Sequence, residues 1–357
     1  MIMDTFDPKV TPWKIDAQDF PKNGSSKEKL TFLLRYAILA PSSHNSQPWK
    51  FKVEDSAIRV FADDDRWLKV ADPDKRELFI SVGCAIENLL IAAEHFGYQH
   101  QVAHFPEGDN GPAAVITLNP NSEAEKSRDP DLFDQILQRY TNHQQYEDEP
   151  IPDEDMAHIY GCVFEEGFWL FATNEGPYPL YSEAELRQRI DDLITRADAI
   201  QLTDDAYKRE LAEWIGRGAF GSPWLMAKIG QLAVTYLNIS KGQTKKDSEM
   251  LLSAPALVAL VSRSDDRNSQ VRAGKIFERI ALTASKRKIA IHPMSQILEV
   301  PEIKSELRDL LDVPQVKADI AGLSAGDPIF PMHTFRMGYA ETEEEHTPRR
   351  PLAEVLV

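Results

Sequence analysis

Hydrophobic positions along the chain recur with two periods, one typical of helices and one typical of strands. Apolar residues three and four apart indicate amphipathic helices, whereas alternating or continuous apolar runs between turn residues indicate strands. Helices are therefore predicted at residues 27–39, 76–98, 271–290 and 301–313, and over most of 183–238 with a break at 216–224. Strands are predicted at residues 51–53, 58–61, 101–105, 112–118, 163–173, 251–262 and 332–340.

Polar and turn-forming residues indicate where these elements begin and end. Ser26 is a candidate N-cap of the first helix, and Gly97 is placed to end the second as a C-terminal cap. Pro301 is suited to the first turn of a helix, where its missing N–H costs nothing. Residues 119–131, NPNSEAEKSRDPD, are polar and contain proline, which is typical of a linker.

The order of elements indicates an α+β protein built from two similar units. Helix, strands, helix and strands occur once and then again, the second time with a large helical insertion. We expect an arm at 1–26, a first half at 27–125 and a second half at 126–357, which includes the insertion at 183–245. The repeat is one of architecture, because the halves share no obvious stretch of sequence.

Charge and cysteine content exclude several classes of function. The 357 residues carry a formal net charge of −17, which argues against nucleic acid or an anionic membrane as a partner. Cys84 and Cys162 do not form a C-x-x-C pair, so we expect two buried thiols and do not expect a metal site. No secretory signal and no apolar run of about 18 residues is apparent, so we expect a cytoplasmic protein.

Three polar stretches are candidates for binding chemistry. They are APSSHNSQPWKF at 40–51, QRYTNH at 138–143 and TPRRP at 347–351. The arginines of the last two could converge on a phosphate, which arginine binds bidentately. Glycine-rich nucleotide loops, H-E-x-x-H and G-x-S-x-G are all absent from the sequence. A bound organic cofactor is the remaining natural route to redox chemistry.

These three stretches resemble the motifs of the nitroreductase superfamily of FMN-dependent oxidoreductases. The first is similar to its P-S-S-x-N loop, RYTNHQQY is similar to its R-[RHY]-[ST]-x-[RKH] element, and TPRRPLAEVL is similar to its basic C-terminal segment. The resemblance covers roughly residues 27–357. It implies homodimer-like architecture, in which one unit supplies the P-S-S-x-N loop and the other supplies the two basic elements.

The chain departs from the family pattern in a complementary way. Its first half has the P-S-S-x-N loop without the basic element, and its second half has both basic elements without that loop. This implies two fused nitroreductase-like units related by a pseudo-twofold axis, with one composite FMN site per chain. The stretches DPDKRELFISVGCAIENL and RMGYA resemble the Acg subgroup, which is double-length with a helical lid over the flavin.

The resemblance assigns the ring of FMN to the first loop. Ser42, Ser43 and Asn45 would hydrogen-bond the carbonyl and nitrogen edge of the isoalloxazine. The turn Pro293-Met294-Ser295-Gln296 would pass near the reactive N5 atom.

The same resemblance assigns the phosphate end to the basic elements. Arg139, Thr141 and His143 would contact ribityl and phosphate, and Arg349 and Arg350 would close on the phosphate. The full cofactor-binding set is Pro41, Ser42, Ser43, Asn45, Gln47, Arg139, Thr141, His143, Met294, Ser295, Arg349 and Arg350. Neither a catalytic side chain nor a metal is expected, because the chemistry would take place on the flavin.

Each assignment has a plainer alternative. His44 could be only a turn residue, and Gln47-Pro48-Trp49 could be scaffold, with Trp49 in the core behind the loop. Arg139 could cap its own helix, and Arg349-Arg350 could be an exposed basic tip. Residues 216–230 could be a helix–helix corner instead of a lid.

The implied activity is hydride transfer from NADH or NADPH, through FMN N5, to a flat electron-poor acceptor such as a nitroaromatic or quinone. The rival is an FMN store or sequestering stress protein whose lid blocks nicotinamide. A third alternative is a partner-binding protein without cofactor. A monomer with an internal pseudo-dimer is expected, and a further homodimer remains open.

Overall fold

The computed structural model describes residues 11–121, 128–174, 181–219, 248–317, 322–341 and 346–357. Its strands are β1 Trp49–Val53, β2 Ala57–Ala62, β3 Tyr98–His104, β4 Ala114–Pro120, β5 Phe168–Ala172, β6 Ala256–Ser262, β7 Ala290–Pro293 and β8 Phe330–Gly338. The described α-helices are α1 Ser26–Ala37, α2 Arg76–His95, α3 Leu132–Gln135, α4 Asp153–Tyr160, α5 Glu183–Thr203, α6 Asp205–Gly216, α7 Arg267–Lys286, α8 Gln296–Glu299, α9 Pro301–Leu311 and α10 Pro314–Lys317.

Two four-stranded antiparallel sheets repeat one topology. Their strand orders are β1-β2-β4-β3 and β5-β6-β8-β7, so each strand of the first sheet has an equivalent in the second. The central helix α2 follows the second strand of its sheet, and α7 follows the second strand of the other. The α+β class and the two fused units predicted from the sequence are therefore confirmed.

The two central helices cross with their backbones in contact. A Cβ added to Gly83 would lie 2.1 Å from the carbonyl oxygen of Val271, and one added to Gly274 would lie 1.9 Å from that of Ile80. Only glycine permits this approach, because a side chain at either position would overlap backbone atoms. The crossing joins the two halves at the centre of the molecule.

The predicted ends of the first two helices are nearly correct. Ser25, and not Ser26, is the N-cap of α1, because its hydroxyl accepts from Glu28 N while the Glu28 carboxylate accepts from Ser25 N. Gly97 has a φ of 78° just beyond α2, as expected of a C-terminal glycine.

Three boundaries differ more strongly from the prediction. The helix predicted at 271–290 ends at Lys286, and strand β7 begins at Ala290, because the chain turns at Lys288, which has a φ of 58°. Residues 248–253 are helical, so the predicted strand at 251–262 begins only at Ala256. The predicted strand at 163–173 is confined to Phe168–Ala172. Continuous apolar runs carry no period that separates a buried strand from a buried helix.

Segments outside the sheets pack across the boundary between the halves. Leu356 pairs in parallel with Phe51, so the C-terminal segment extends the first sheet beside β1. Arg128, in the stretch predicted as a linker, is buried against Glu87 of α2. The insertion between β5 and β6 contains α5 and α6, and its residues 220–247 lie outside the described part.

Helix α2 is long and apolar enough to cross a membrane by composition alone. However, 94% of its most apolar window is buried inside the fold. Its apolar character is that of a central core helix.

Candidate functional site

The loop after α1 has an unusual backbone. His44, Asn45 and Gln47 have φ values of 49°, 48° and 52°, in the left-handed region that residues other than glycine rarely adopt. The hydroxyl of Ser42 accepts a hydrogen bond from Gln47 N, which closes the loop on itself. Strained backbone of this kind is typical of functional loops and is retained only where surrounding contacts fix it.

The C-terminal segment fixes this loop. Asn45 donates through Nδ2 to the carbonyl of Pro348 at 2.9 Å and accepts through Oδ1 from Arg349 at 3.0 Å. The side-chain oxygen of Gln47 accepts from Arg350 N at 2.7 Å. The first and third polar stretches of the sequence, 300 residues apart, are thus one structural unit.

Arg349 is buried at the centre of that unit. Only 3% of it is exposed, and it donates to the carbonyl of Leu39 at 3.1 Å and to the hydroxyl of Thr347 at 2.6 Å. Burial, and after it the positive charge of Arg139, lowers the pKa of Arg349 to about 9. The proposal of an exposed basic tip is therefore wrong for this residue.

Arg139 brings the second polar stretch to the same place. It is 4% exposed, and among the described residues it pairs with Glu278 of α7, with 3.6 Å between Nε and Oε1. Within the described part of the chain, Nε of Arg139 has no hydrogen-bond partner. Arg139 and Arg349 together form a buried cationic pair facing one carboxyl group.

Glu278 is fully buried opposite this pair. Burial raises the pKa of its carboxyl group to about 7, against the attraction of Arg139 and Arg349. Asn88 of α2 lies beside it and also favours the ionised form. We call Arg139, Arg349 and Glu278 the arginine–glutamate cluster.

Arg350 of the third stretch, and Asn142 and His143 of the second, have partners outside this cluster. Arg350 pairs with the buried carboxylate of Asp63 at 3.2 Å. Asn142 donates from its backbone to Ile291 O of β7, and the ring of His143 lies against that of His292, with 4.5 Å between centroids. Of the five residues predicted to contact ribityl and phosphate, Arg139 and Arg349 are together, while Arg350 and His143 face other partners.

A second buried cluster lies under the loop. Ser43 donates from its hydroxyl to Glu77 at the start of α2, and Glu77 pairs with Arg76 at 2.8 Å. His333 of β8 approaches the same carboxylate, with 4.0 Å between Nδ1 and Oε1. Neither ring nitrogen of His333 has a hydrogen-bond partner in the described residues, and burial lowers the pKa of this imidazole to about 4.

Two further carboxyl groups near Glu77 are held in an environment that favours their neutral form. Burial, and then the charge of Glu77, raises the pKa of Asp72 to about 8 and that of Glu299 to about 8. Asp72 nevertheless accepts from the backbone N–H groups of Glu77 and Leu78, both at 2.9 Å, and so caps the start of α2.

The turn predicted to pass the flavin N5 follows β7. Met294 is 2% exposed, and Thr334 donates from its hydroxyl to Met294 O at 2.7 Å. The Met294 side chain lies in the hydrophobic cluster between the second sheet and α5, where it lines a cavity of about 20 Å³. That volume suits a water molecule and is far too small for a flavin. Ser295 follows at the start of α8 and is half-buried.

Helix α6 reaches across from the second half and contacts the first. The Glu210 carboxylate accepts from the backbone of Val70 at 2.9 Å, and Trp214 packs with Leu68 and Ala71. Asn45 of the loop donates to Ala219 O at 2.8 Å. The insertion is therefore attached to the loop itself; residues 220–230 of the predicted lid lie outside the described part.

The arm also contributes to the site. Trp13 stacks on His346 with 3.9 Å between ring centroids, and Arg349 lies over the Trp13 ring at 4.8 Å. Sequence reasoning missed this role, as it missed Glu77, Glu278 and His333. Of these residues, only Glu278 has a sequence pattern that could have indicated its role. It follows Gly274 by four residues, as Glu87 follows Gly83.

The donors present fit the FMN that the motifs imply. Nε of Arg139 is a buried donor without a hydrogen-bond partner in the described ranges, which suits a phosphate, and His333 offers two ring nitrogens to a polar heterocycle. The plainer interpretation of Trp49 is confirmed, because this side chain is fully buried behind the loop. Both cysteines are buried, as expected.

Comparison with known proteins agrees with this geometry. The chain is 27% identical over 339 residues to a "Putative NAD(P)H nitroreductase" of Mycobacterium tuberculosis, covering 92% of this chain and 91% of the relative. It is 24% identical over 337 residues to the "Putative NAD(P)H nitroreductase acg" of the same organism, covering 90% and 93%. No family model matches the chain.

The solved structures support the fold. A crystal structure of a "putative nitroreductase" from Anabaena variabilis matches with a TM-score of 0.54 at 10% identity, over 93% of this chain and 91% of that one. The chain therefore has the fold of a nitroreductase, and the resemblance seen in its three motifs, including that to Acg, is confirmed.

Proposed function

We propose that this protein is an FMN-dependent NAD(P)H oxidoreductase of the nitroreductase type, with one composite flavin site between its halves. The observation that carries the proposal is the meeting of three distant motifs, since Asn45 bonds to Arg349 and Arg349 lies beside Arg139. The names of the relatives in M. tuberculosis support nitroreductase activity with NAD(P)H as the electron donor.

Each part of the site would have a definite task. Arg139 would donate to the phosphate of the cofactor, and Arg349 would hold Asn45 and contribute positive charge without giving up its own hydrogen bonds. The loop at 41–47 would lie along the ring, with the Ser43 hydroxyl oriented by Glu77. FMN, when bound, would supply the hydride chemistry, accepting from NADH or NADPH and passing electrons to a nitroaromatic or quinone.

A specific contact favours a second candidate function, FMN storage without turnover. Helix α6 is attached to the first half through Glu210, and Ala219, just after this helix, accepts a hydrogen bond from Asn45 of the loop. A helix held at the loop would restrict the space in which a nicotinamide stacks on a flavin.

An anaerobic visible spectrum of the purified protein distinguishes these functions. We would record it before and after adding NADPH, then NADH, and finally dithionite. Flavin bands that either donor bleaches support the reductase and identify its donor. Bands that persist with both donors yet bleach with dithionite support storage. If no flavin bands appear even after incubation with excess FMN, the composite site is wrong.

A further inference from the structure

The pseudo-twofold axis produces two equivalent carboxylates with unequal surroundings. Glu87 lies four residues after Gly83 on α2, and Glu278 lies four residues after Gly274 on α7. Because those glycines meet where the helices cross, the glutamates occupy matching positions on the two sides of the crossing. Both are fully buried.

The surroundings of Glu87 are saturated with partners. Arg128 binds it through two hydrogen bonds of 2.6 and 3.0 Å, and Arg279 adds a third of 2.8 Å. Arg279 also binds Glu165, and Arg128 also binds Glu94. Among the described residues, these five groups and the nearby Lys275 comprise three cations and three anions, so their charges balance.

Glu278 has fewer and longer contacts with cations than Glu87 among the described residues. Its ion pair with Arg139 is 3.6 Å long, and Nε of Arg139 has no hydrogen-bond partner within the described ranges. Arg349 adds a second cation. Among the described residues, two cations and one carboxylate leave one positive charge there without a counter-charge.

We propose that Glu278 is the proton-linked counter-ion of the phosphate monoester that binds at Arg139 and Arg349, and so sets how tightly the flavin nucleotide binds at each pH. This inference rests on the proposed function, because it takes the anion to be the phosphate of FMN. Glu278 would be a positioning residue, which acts on the ligand through the arginines it faces.

Charge balance gives the direction of the linkage. A phosphate monoester is largely a dianion above about pH 6. Added to the arginine–glutamate cluster, it would leave a net charge of −1 if Glu278 stayed ionised, and zero if Glu278 took up a proton. Buried unbalanced charge is costly, so binding and protonation of Glu278 favour each other.

The charged and titratable groups around Glu278 support this choice of residue. Arg139 and Arg349 face it from the segment after α3 and from the C-terminal segment, while Glu87 and Cys84 approach from α2. Burial already raises the pKa of Glu278 to about 7. His346 lies near the same arginines, and burial, followed by the charges of Arg139 and Arg349, lowers the pKa of its imidazole.

The test is a flavin titration of the full chain after bound flavin is removed. FMN and riboflavin would be added to wild type and to Glu278→Gln from pH 6.5 to 8.5, with binding followed by fluorescence. Glu306→Gln is the matched control, because Glu306 is an exposed partner of Arg196. Calorimetry of the wild type in two buffers of different ionisation enthalpy would count protons taken up.

We expect FMN binding to wild type to weaken by up to about tenfold per pH unit above pH 7, with uptake of close to one proton. Glu278→Gln should bind FMN nearly independently of pH and more tightly at pH 8.5. Riboflavin, which lacks the phosphate, should show no pH slope with either protein.

FMN binding that is independent of pH in wild type, without proton uptake, would overturn the role of Glu278. The same conclusion would follow if Glu278→Gln kept the wild-type slope. If neither flavin binds at any pH, the proposed function itself fails and this inference fails with it. The calorimetric measurement needs no variant, so the proposal stays testable even if Glu278→Gln does not fold.

Discussion

Gly83 and Gly274 each lie against the backbone of the other's helix where α2 and α7 cross. A Cβ added to Gly83 would lie 2.1 Å from a carbonyl oxygen of α7, and one added to Gly274 would lie 1.9 Å from a carbonyl oxygen of α2. This contact fixes the spacing of the two halves. The composite site depends on that spacing, since its loop comes from one half and its arginines from the other.

Substituting Gly274 by alanine should destabilise the whole fold. Overpacking a rigid core commonly costs about 1–3 kcal/mol, and here the obstacle is backbone on both helices. This cost should exceed the gain of about 1 kcal/mol that alanine brings to a helix interior. Chemical denaturation would measure the free energy of unfolding. Gly326→Ala is the control, because nothing lies within 4 Å of its added Cβ; equal effects at the two positions would contradict the close crossing.

Glu87→Gln should destabilise the protein at neutral pH and flatten its response to acid. It removes the anion that Arg128 and Arg279 share and leaves each with one carboxylate, Glu94 or Glu165. Breaking a buried ion pair by removing one partner typically costs about 3–5 kcal/mol. The two arginines hold the pKa of Glu87 well below its usual range despite burial. A depressed pKa stabilises the fold above the unfolded-state value of about 4.3 and loses this effect as the pH falls below it.

The measurement is the free energy of unfolding of both proteins between pH 7 and pH 3. The difference between wild type and Glu87→Gln should be constant above about pH 5 and shrink below it. A difference that grows on acidification would show that Glu87 is not the ionised centre of this network.

Arg139→Met should weaken FMN binding and leave riboflavin binding nearly unchanged. Hydrogen bonds to charged groups contribute roughly 1.5–3 kcal/mol, which corresponds to a loss of about 10- to 150-fold in affinity. Arg196→Met is the control, because Arg196 is exposed and pairs only with Glu306 among the ion pairs described. Equal losses for the two flavins would place Arg139 away from the phosphate.

Glu210→Ala should loosen the attachment of α6 to the first half. It removes the acceptor for the backbone N–H groups of Val70 and Ala71. We expect faster release of bound FMN and faster proteolysis between 205 and 219. Glu213→Ala is the control, because Glu213 is exposed and pairs with Arg217 on its own helix. Unchanged release from Glu210→Ala would mean that α6 does not limit access.

The sequence by itself determined the fold class and the two-unit plan. The period of apolar residues distinguished long helices such as α2 from strands such as β4, because each element buries one regular face. The sequence also predicted Asn45, Arg139 and Arg349 as site residues, since their motifs are local patterns of residue type. Where an apolar run had no period, as at 251–262 and 289–291, the boundaries were wrong.

Only the tertiary structure decided which of those residues meet. Asn45 and Arg349 are 304 positions apart, and no local pattern encodes their 3.0 Å hydrogen bond. Arg350 and His143, predicted beside them, have other partners in Asp63 and His292. The contrast between Glu87 and Glu278 is likewise a property of packing, because equal positions on two crossing helices acquire different chemistry from the segments that cover them.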